Sequence, residues 1–198
     1  MAVDKRILFG SLGAAVVISI VGGWALSSTK DDPNSMPVDD EVTITSNGVY
    51  LEPGIAINDP VQGEPLPAVM LRDSHGNEIS TADLIGQPLV INVWGTDCVA
   101  CRTEMPALAA VSRELGDQVR FVGVNIAANT DSALAFAKDK GVQYELLSDQ
   151  DGELVSTLGI KGIPYTLFVA ADGTIVAQKG IALDEDTIRS TVADSLLS

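Results

Sequence analysis

The sequence contains two cysteines, Cys98 and Cys101, with two residues between them. A disulfide closed at that spacing stabilises a fold by roughly 2 kcal/mol on chain-entropy grounds, against about 4.7 for a hundred-residue loop. The pair is a poor staple. It is better suited to exchange, in which one thiolate attacks a foreign disulfide and the second thiol resolves the mixed disulfide. A structural disulfide and half of a zinc site are the competing uses. Zinc would have to recruit carboxylates, because the sole histidine, His75, stands in a turn-like Ser-His-Gly-Asn.

The flanking sequence supplies a strand and a helix to hold the pair. Pro88-Leu-Val-Ile-Asn-Val-Trp94 is short, apolar and β-branched, which predicts a buried strand, and Gly95-Thr96 turns the chain. From Cys98 the spacing is helical, with Cys98, Cys101, Met105, Leu108 and Leu115 on one side and Gly116 as the stop. Cys98 therefore caps a helix start, where unpaired N–H groups and the macrodipole favour a thiolate by about 0.3 to 2 kcal/mol. Asp97 opposes that effect, and Arg102 partly offsets Asp97.

Beyond the pair, strand and helix signals alternate. Val119–Asn125 reads as a strand, Thr130–Lys140 as a helix capped by Asn129 or Thr130, Glu145–Leu147 as a strand and Glu153–Leu158 as a helix. Strands Tyr165–Val169 and Thr174–Gln178 flank the turn Ala171-Asp-Gly173, and Asp184–Leu197 closes as a helix with Ile188, Val192, Leu196 and Leu197 inward. Such crossover units predict an α/β fold, a central mixed sheet flanked by helices, with the cysteines at the carboxyl end of a strand. Ahead of it, Ala68–Arg72 and Glu78–Ser80 flank Asp73-Ser-His-Gly-Asn77, an N-terminal β-hairpin with His75 at its exposed tip, and a short helix covers Thr81–Ile85.

Residues 1–6 carry Lys5 and Arg6, and no charge follows from Ile7 to Leu26, a run spanning about 30 Å as a helix. It reads as a transmembrane anchor over 7–26; a cleaved signal peptide is the alternative, with Ala25-Leu26-Ser27 as its site. Lys5 and Arg6 before the run, with Asp31 and Asp32 after it, put residues 1–6 in the cytoplasm and the remainder outside a bacterial cell membrane. Residues 27–63 form a linker containing a small β element within Val42–Leu51, and 64–198 form the domain. A net charge of −15 argues against nucleic acid. No phosphate loop is present. Neither cofactor nor metal is expected, and the chain is expected to be a monomer.

The stretch Trp94-Gly-Thr-Asp-Cys98-Val-Ala-Cys101-Arg-Thr-Glu104-Met-Pro106 resembles the membrane-anchored TlpA/ResA type of thioredoxin-like protein, in the redoxin (AhpC/TSA) superfamily. Gly162-Ile-Pro164-Tyr-Thr166 resembles that family's cis-proline segment, and Leu66 to Pro88 its N-terminal extension. The resemblance implies a thioredoxin-like fold, a cis Ile163–Pro164 bond that leaves the Ile163 backbone free for an extended substrate, and substrate contacts from Trp94, Ile163 and Pro164. Val99-Ala100 departs from the family's frequent proline before the second cysteine, and Asp97 replaces a common aromatic. Asn92 stands where thioredoxin has a buried acid. Glu104, three residues beyond Cys101, is the candidate replacement to take the Cys101 proton; a solvated helix glutamate is the alternative.

The expected activity is that of an extracytoplasmic thiol-disulfide oxidoreductase, with Cys98 as nucleophile and Cys101 resolving. Its expected partners are disulfide-containing exported proteins, including cytochrome c precursors, and a membrane thiol-disulfide electron donor. Two alternatives stand beside it. One is a thiol peroxidase using Cys98, although Thr96 is two residues before the cysteine where such enzymes generally place threonine three before. The other is a binding module with an inert disulfide.

Overall fold

The computed structural model describes residues 58–198; the anchor run, most of the linker and the Val42–Leu51 element lie outside the described residues. No helix among the described residues is long and apolar enough to cross a membrane. In chain order the elements are β1 (Met70–Arg72), β2 (Glu78–Ser80), a 3-10 turn (Thr81–Leu84), β3 (Leu89–Trp94), α1 (Val99–Leu115), β4 (Arg120–Asn125), α2 (Asp131–Asp139), β5 (Glu145–Ser148), α3 (Glu153–Thr157), β6 (Tyr165–Val169), β7 (Ile175–Lys179) and α4 (Glu185–Ser195). They build one seven-stranded sheet in the order β2-β1-β5-β4-β3-β6-β7. β3, β4 and β5 are parallel, and β6 and β7 add antiparallel. The hairpin extends this same sheet, because Arg72 of β1 pairs with Ser148 of β5.

Every residue of β3 is buried, and alternation along it serves two faces. Leu89, Ile91 and Val93 enter the core beneath α3, while Val90 and Trp94 face the helices α1, α2 and α4. Burial on both faces explains why this strand reads as an unbroken apolar run. Asn92 is the exception on the helix side.

Helix ends follow their capping chemistry. Thr130 Oγ1 accepts from the Ala133 N–H at 3.3 Å to start α2, and Asp184 Oδ1 accepts from the Thr187 N–H at 2.8 Å to start α4. In α4, Ile188 and Val192 are buried and Leu196 packs on the same cluster. Leu197 is corrected: it is 41% exposed, because regular α4 ends at Ser195 and the helical period no longer sets its direction.

Gly123 of β4 lies beside Asn92 of β3. A Cβ there would meet Leu146 Cδ2 at 2.8 Å, with Trp94 Nε1 and Tyr144 Cε2 at 3.2 Å. The missing side chain leaves room for the rings of Trp94 and Tyr144. Gly123→Ala is expected to destabilise the protein by about 1–3 kcal/mol through overpacking, read as a lower urea midpoint at unchanged slope.

Candidate active site

β3 ends at Trp94, the chain turns through Gly95, and Cys98 becomes the N-cap of α1. The turn is tight. A Cβ on Gly95 would lie 3.2 Å from Ile163 Cδ1 and 3.4 Å from Ile126 Cγ1, so glycine lets the chain pass close beneath both side chains. Cys98 and Cys101 are joined as a disulfide. The two sulfurs differ in access: Cys98 is half-buried, whereas Cys101 is fully buried. Cys98 Sγ accepts from the Cys101 N–H at 3.0 Å, a helix-start donor that stabilises negative charge on that sulfur once the disulfide opens. Asp97 lies beside it in the loop. Arg102 donates through Nε and Nη2 to the Thr96 carbonyl at 3.3 and 2.9 Å, which ties the first turn of α1 to the loop before Cys98.

Glu104 is fully buried, unlike a solvated helix glutamate. Its Oε1 accepts from Asn92 Nδ2 at 2.6 Å and its Oε2 from the Leu183 N–H at 3.1 Å. Asn92 Nδ2 also donates to Thr166 Oγ1 at 3.0 Å, so one polar chain crosses α1, β3 and β6. Burial pushes the Glu104 carboxyl up to about 7, and the bonds from Asn92 and Leu183 hold it back only in part. Tyr144 is half-buried with its hydroxyl inside the protein, and desolvation followed by the Glu104 charge raises its phenol above its ordinary value.

The Ile163–Pro164 bond is cis, as the resemblance implies. Pro164 is buried at the start of β6, Ile163 is half-buried, and the Ile163 carbonyl oxygen lies 3.6 Å from Cys98 Sγ. Trp94 corrects its expected place among substrate contacts. It is completely buried, stacked on Phe136 with centroids 5.9 Å apart, and supports the site from below. Arg102 lies over the Phe136 ring, 5.6 Å from its centroid. Val99, 76% exposed, and Ile126 leave an apolar rim beside Cys98. Sequence reading passed over Ile126, Phe136, Thr166 and Leu183; only Thr166, inside the Pro164-Tyr-Thr166 segment, carried a local signal.

The family AhpC/TSA matches residues 62–178, more than half of the sequence. The chain belongs to the AhpC/TSA family. Among its relatives, the thiol:disulfide interchange protein DsbE of Pseudomonas fluorescens biotype C is 35% identical over 117 residues, covering 58% of this chain and 64% of that protein. The thiol-disulfide oxidoreductase ResA of Bacillus subtilis is 29% identical over 100 residues, 50% of this chain and 56% of that protein. The chain thus spans less than two thirds of the length of these relatives. A secreted Mycobacterium tuberculosis disulfide oxidoreductase homologous to E. coli DsbE superposes with a TM-score of 0.58 at 25% identity, over 64% of this chain and 96% of that one. A DsbF homologue from Corynebacterium diphtheriae gives 0.60 at 24% identity, over 73% and 97%. The AhpC/TSA chain therefore has the thioredoxin-like architecture, with its C-x-x-C pair oxidised at the end of β3.

Proposed function

We propose that the protein is an extracytoplasmic thiol-disulfide oxidoreductase that reduces disulfides of exported proteins, cytochrome c precursors among them. The observation that carries the reading is the asymmetry of the pair: an accessible, helix-capping Cys98 bonded to a fully buried Cys101. In the reduced protein, Cys98 thiolate attacks one sulfur of a partner disulfide and the other partner sulfur leaves as thiolate. Glu104 accepts the Cys101 proton. Cys101 thiolate then attacks Cys98 Sγ, the second partner sulfur leaves, and the protein retains the Cys98–Cys101 disulfide. Two electrons have passed to the partner, and a membrane thiol-disulfide donor restores the dithiol.

The backbone of Ile163, with Pro164 behind it, lines the approach of an extended partner segment to Cys98. The apolar run 7–26 anchors residues 64–198 outside the membrane through the acidic linker. Likeness to a secreted disulfide oxidoreductase supports the extracytoplasmic side of this reading. The deciding measurement is the midpoint potential of the Cys98–Cys101 couple. A value below about −200 mV is expected; one near −120 mV would reverse the direction to oxidation.

A further inference from the structure

The loop carrying Ile163 hangs between two supports. On one side Pro164 and Tyr165 enter β6, and both are buried. On the other, Lys161 and Gly162 lie outside any strand, and one amide side chain takes three of their backbone groups. Asn58 Oδ1 accepts from the N–H of Lys161 at 2.7 Å and of Gly162 at 2.9 Å, while Asn58 Nδ2 donates to the Gly162 carbonyl at 3.2 Å. These partners are 103 and 104 positions away in the chain.

Neighbouring residues hold Asn58 in place. The Asp59 N–H donates to the Gly159 carbonyl at 3.3 Å, and the Asp59 carboxylate pairs with Lys161 Nζ. Gln178 of β7 accepts from the Val61 N–H at 2.6 Å and donates to the Asp59 carbonyl at 3.2 Å. Further along, the Gly63 N–H donates to Ile175 and the Ile175 N–H to Glu64. Residues 58–64 thus strap the edge of the sheet and end in a clip on the loop opposite Cys98.

We infer that Asn58 is a positioning residue for the substrate: its amide fixes the Ile163 carbonyl opposite Cys98, where an extended, cysteine-bearing peptide must align. The inference rests on the oxidoreductase reading above. A peptide that adds along the Ile163 backbone needs hydrogen-bonding groups at set positions, and a loop that wanders binds in proportion to its competent fraction. Lys161 and Gly162 have no strand ladder of their own to hold them, so the strap determines that fraction.

The test uses the reduced full chain and an unstructured nonapeptide whose central cysteine is capped by 2-nitro-5-thiobenzoate. Cys98 thiolate attacks the peptide sulfur, the bond to the cap breaks and coloured thionitrobenzoate leaves. Cys101 thiolate then releases the peptide as a free thiol and leaves the protein oxidised. Asn58→Ala is expected to raise the half-saturating peptide concentration about tenfold while the limiting rate holds within about twofold. Asn58→Asp keeps both accepted bonds but sets a carboxylate oxygen against the Gly162 carbonyl, and is expected to recover part of the loss. A folded Asn58→Ala protein with unchanged half-saturation overturns the inference. If the unaltered protein releases no thionitrobenzoate, the oxidoreductase reading itself fails, and amide hydrogen exchange judges the clip. Exchange at Lys161 and Gly162 about tenfold faster in Asn58→Ala supports it; equal exchange overturns it.

Discussion

Cys101→Ala is expected to turn the protein into a trap, with close to one partner molecule held covalently on Cys98 per chain. The first attack needs only the half-buried Cys98 sulfur at the start of α1, which the substitution leaves in place. Resolution needs a thiol already oriented beside the mixed disulfide. A well-oriented intramolecular group acts at an effective concentration of about 10⁵ M or more, so a millimolar external thiol cannot replace it. Turnover should fall by at least about a thousandfold. Cys98→Ala should form no adduct, because Cys101 is fully buried. Non-reducing electrophoresis and mass spectrometry of membranes expressing each variant read both outcomes. Adducts on Cys101, or turnover that survives its loss, would overturn the order of attack.

Glu104→Gln should have the second largest effect, and it is visible in two separate measurements. The variant can keep the network's bonds: the carbonyl of the substituted side chain accepts from the Leu183 N–H, and a flipped Asn92 amide accepts from the new amide N–H and from the Thr166 hydroxyl, at the cost of placing the Asn92 NH2 where its oxygen now has no partner. What is lost is the base. The resolving step should slow by about a hundredfold at pH 8, the low end of general-base effects, and lose the inflection near pH 7 that is expected of the unaltered protein. Stability provides the other readout. Burial raises the carboxyl from 4.5 to about 7, so the folded state holds a proton that the unfolded chain releases. That contribution is complete below pH 4.5 and is lost as pH rises through 7, a span on the order of 3 kcal/mol. Urea unfolding should show this decline in the unaltered protein and not in Glu104→Gln. Parallel profiles for the two would show that Glu104 does not titrate in this way.

What could be read in advance followed from local rules. The apolar, β-branched run before Trp94 is the pattern of a buried strand, and helical spacing after Cys98 places that residue at a cap. Alternating signals further on required crossovers, and crossovers required parallel central strands. The exchange chemistry of Cys98 and Cys101 needs no more than their spacing and this strand-to-helix setting.

Other features depend on residues distant in sequence, and no local pattern encodes such pairings. Glu104 looks like any helix glutamate until Leu183, 79 positions on, and Asn92 enclose it and remove its water. The family resemblance puts Trp94 among the substrate contacts, yet Gly123 and Phe136 provide a pocket beneath it. Asn58 belonged to a stretch whose composition signalled only a linker, and packing across more than a hundred residues brought it to Gly162. The reactive pair and the strand and helix that carry it were legible from the chain alone, since they follow from short-range periodicity and capping. Which sulfur is reachable, which carboxyl is dry and what holds the opposing loop depend on burial and long-range hydrogen bonds, which exist only once the sheet has assembled.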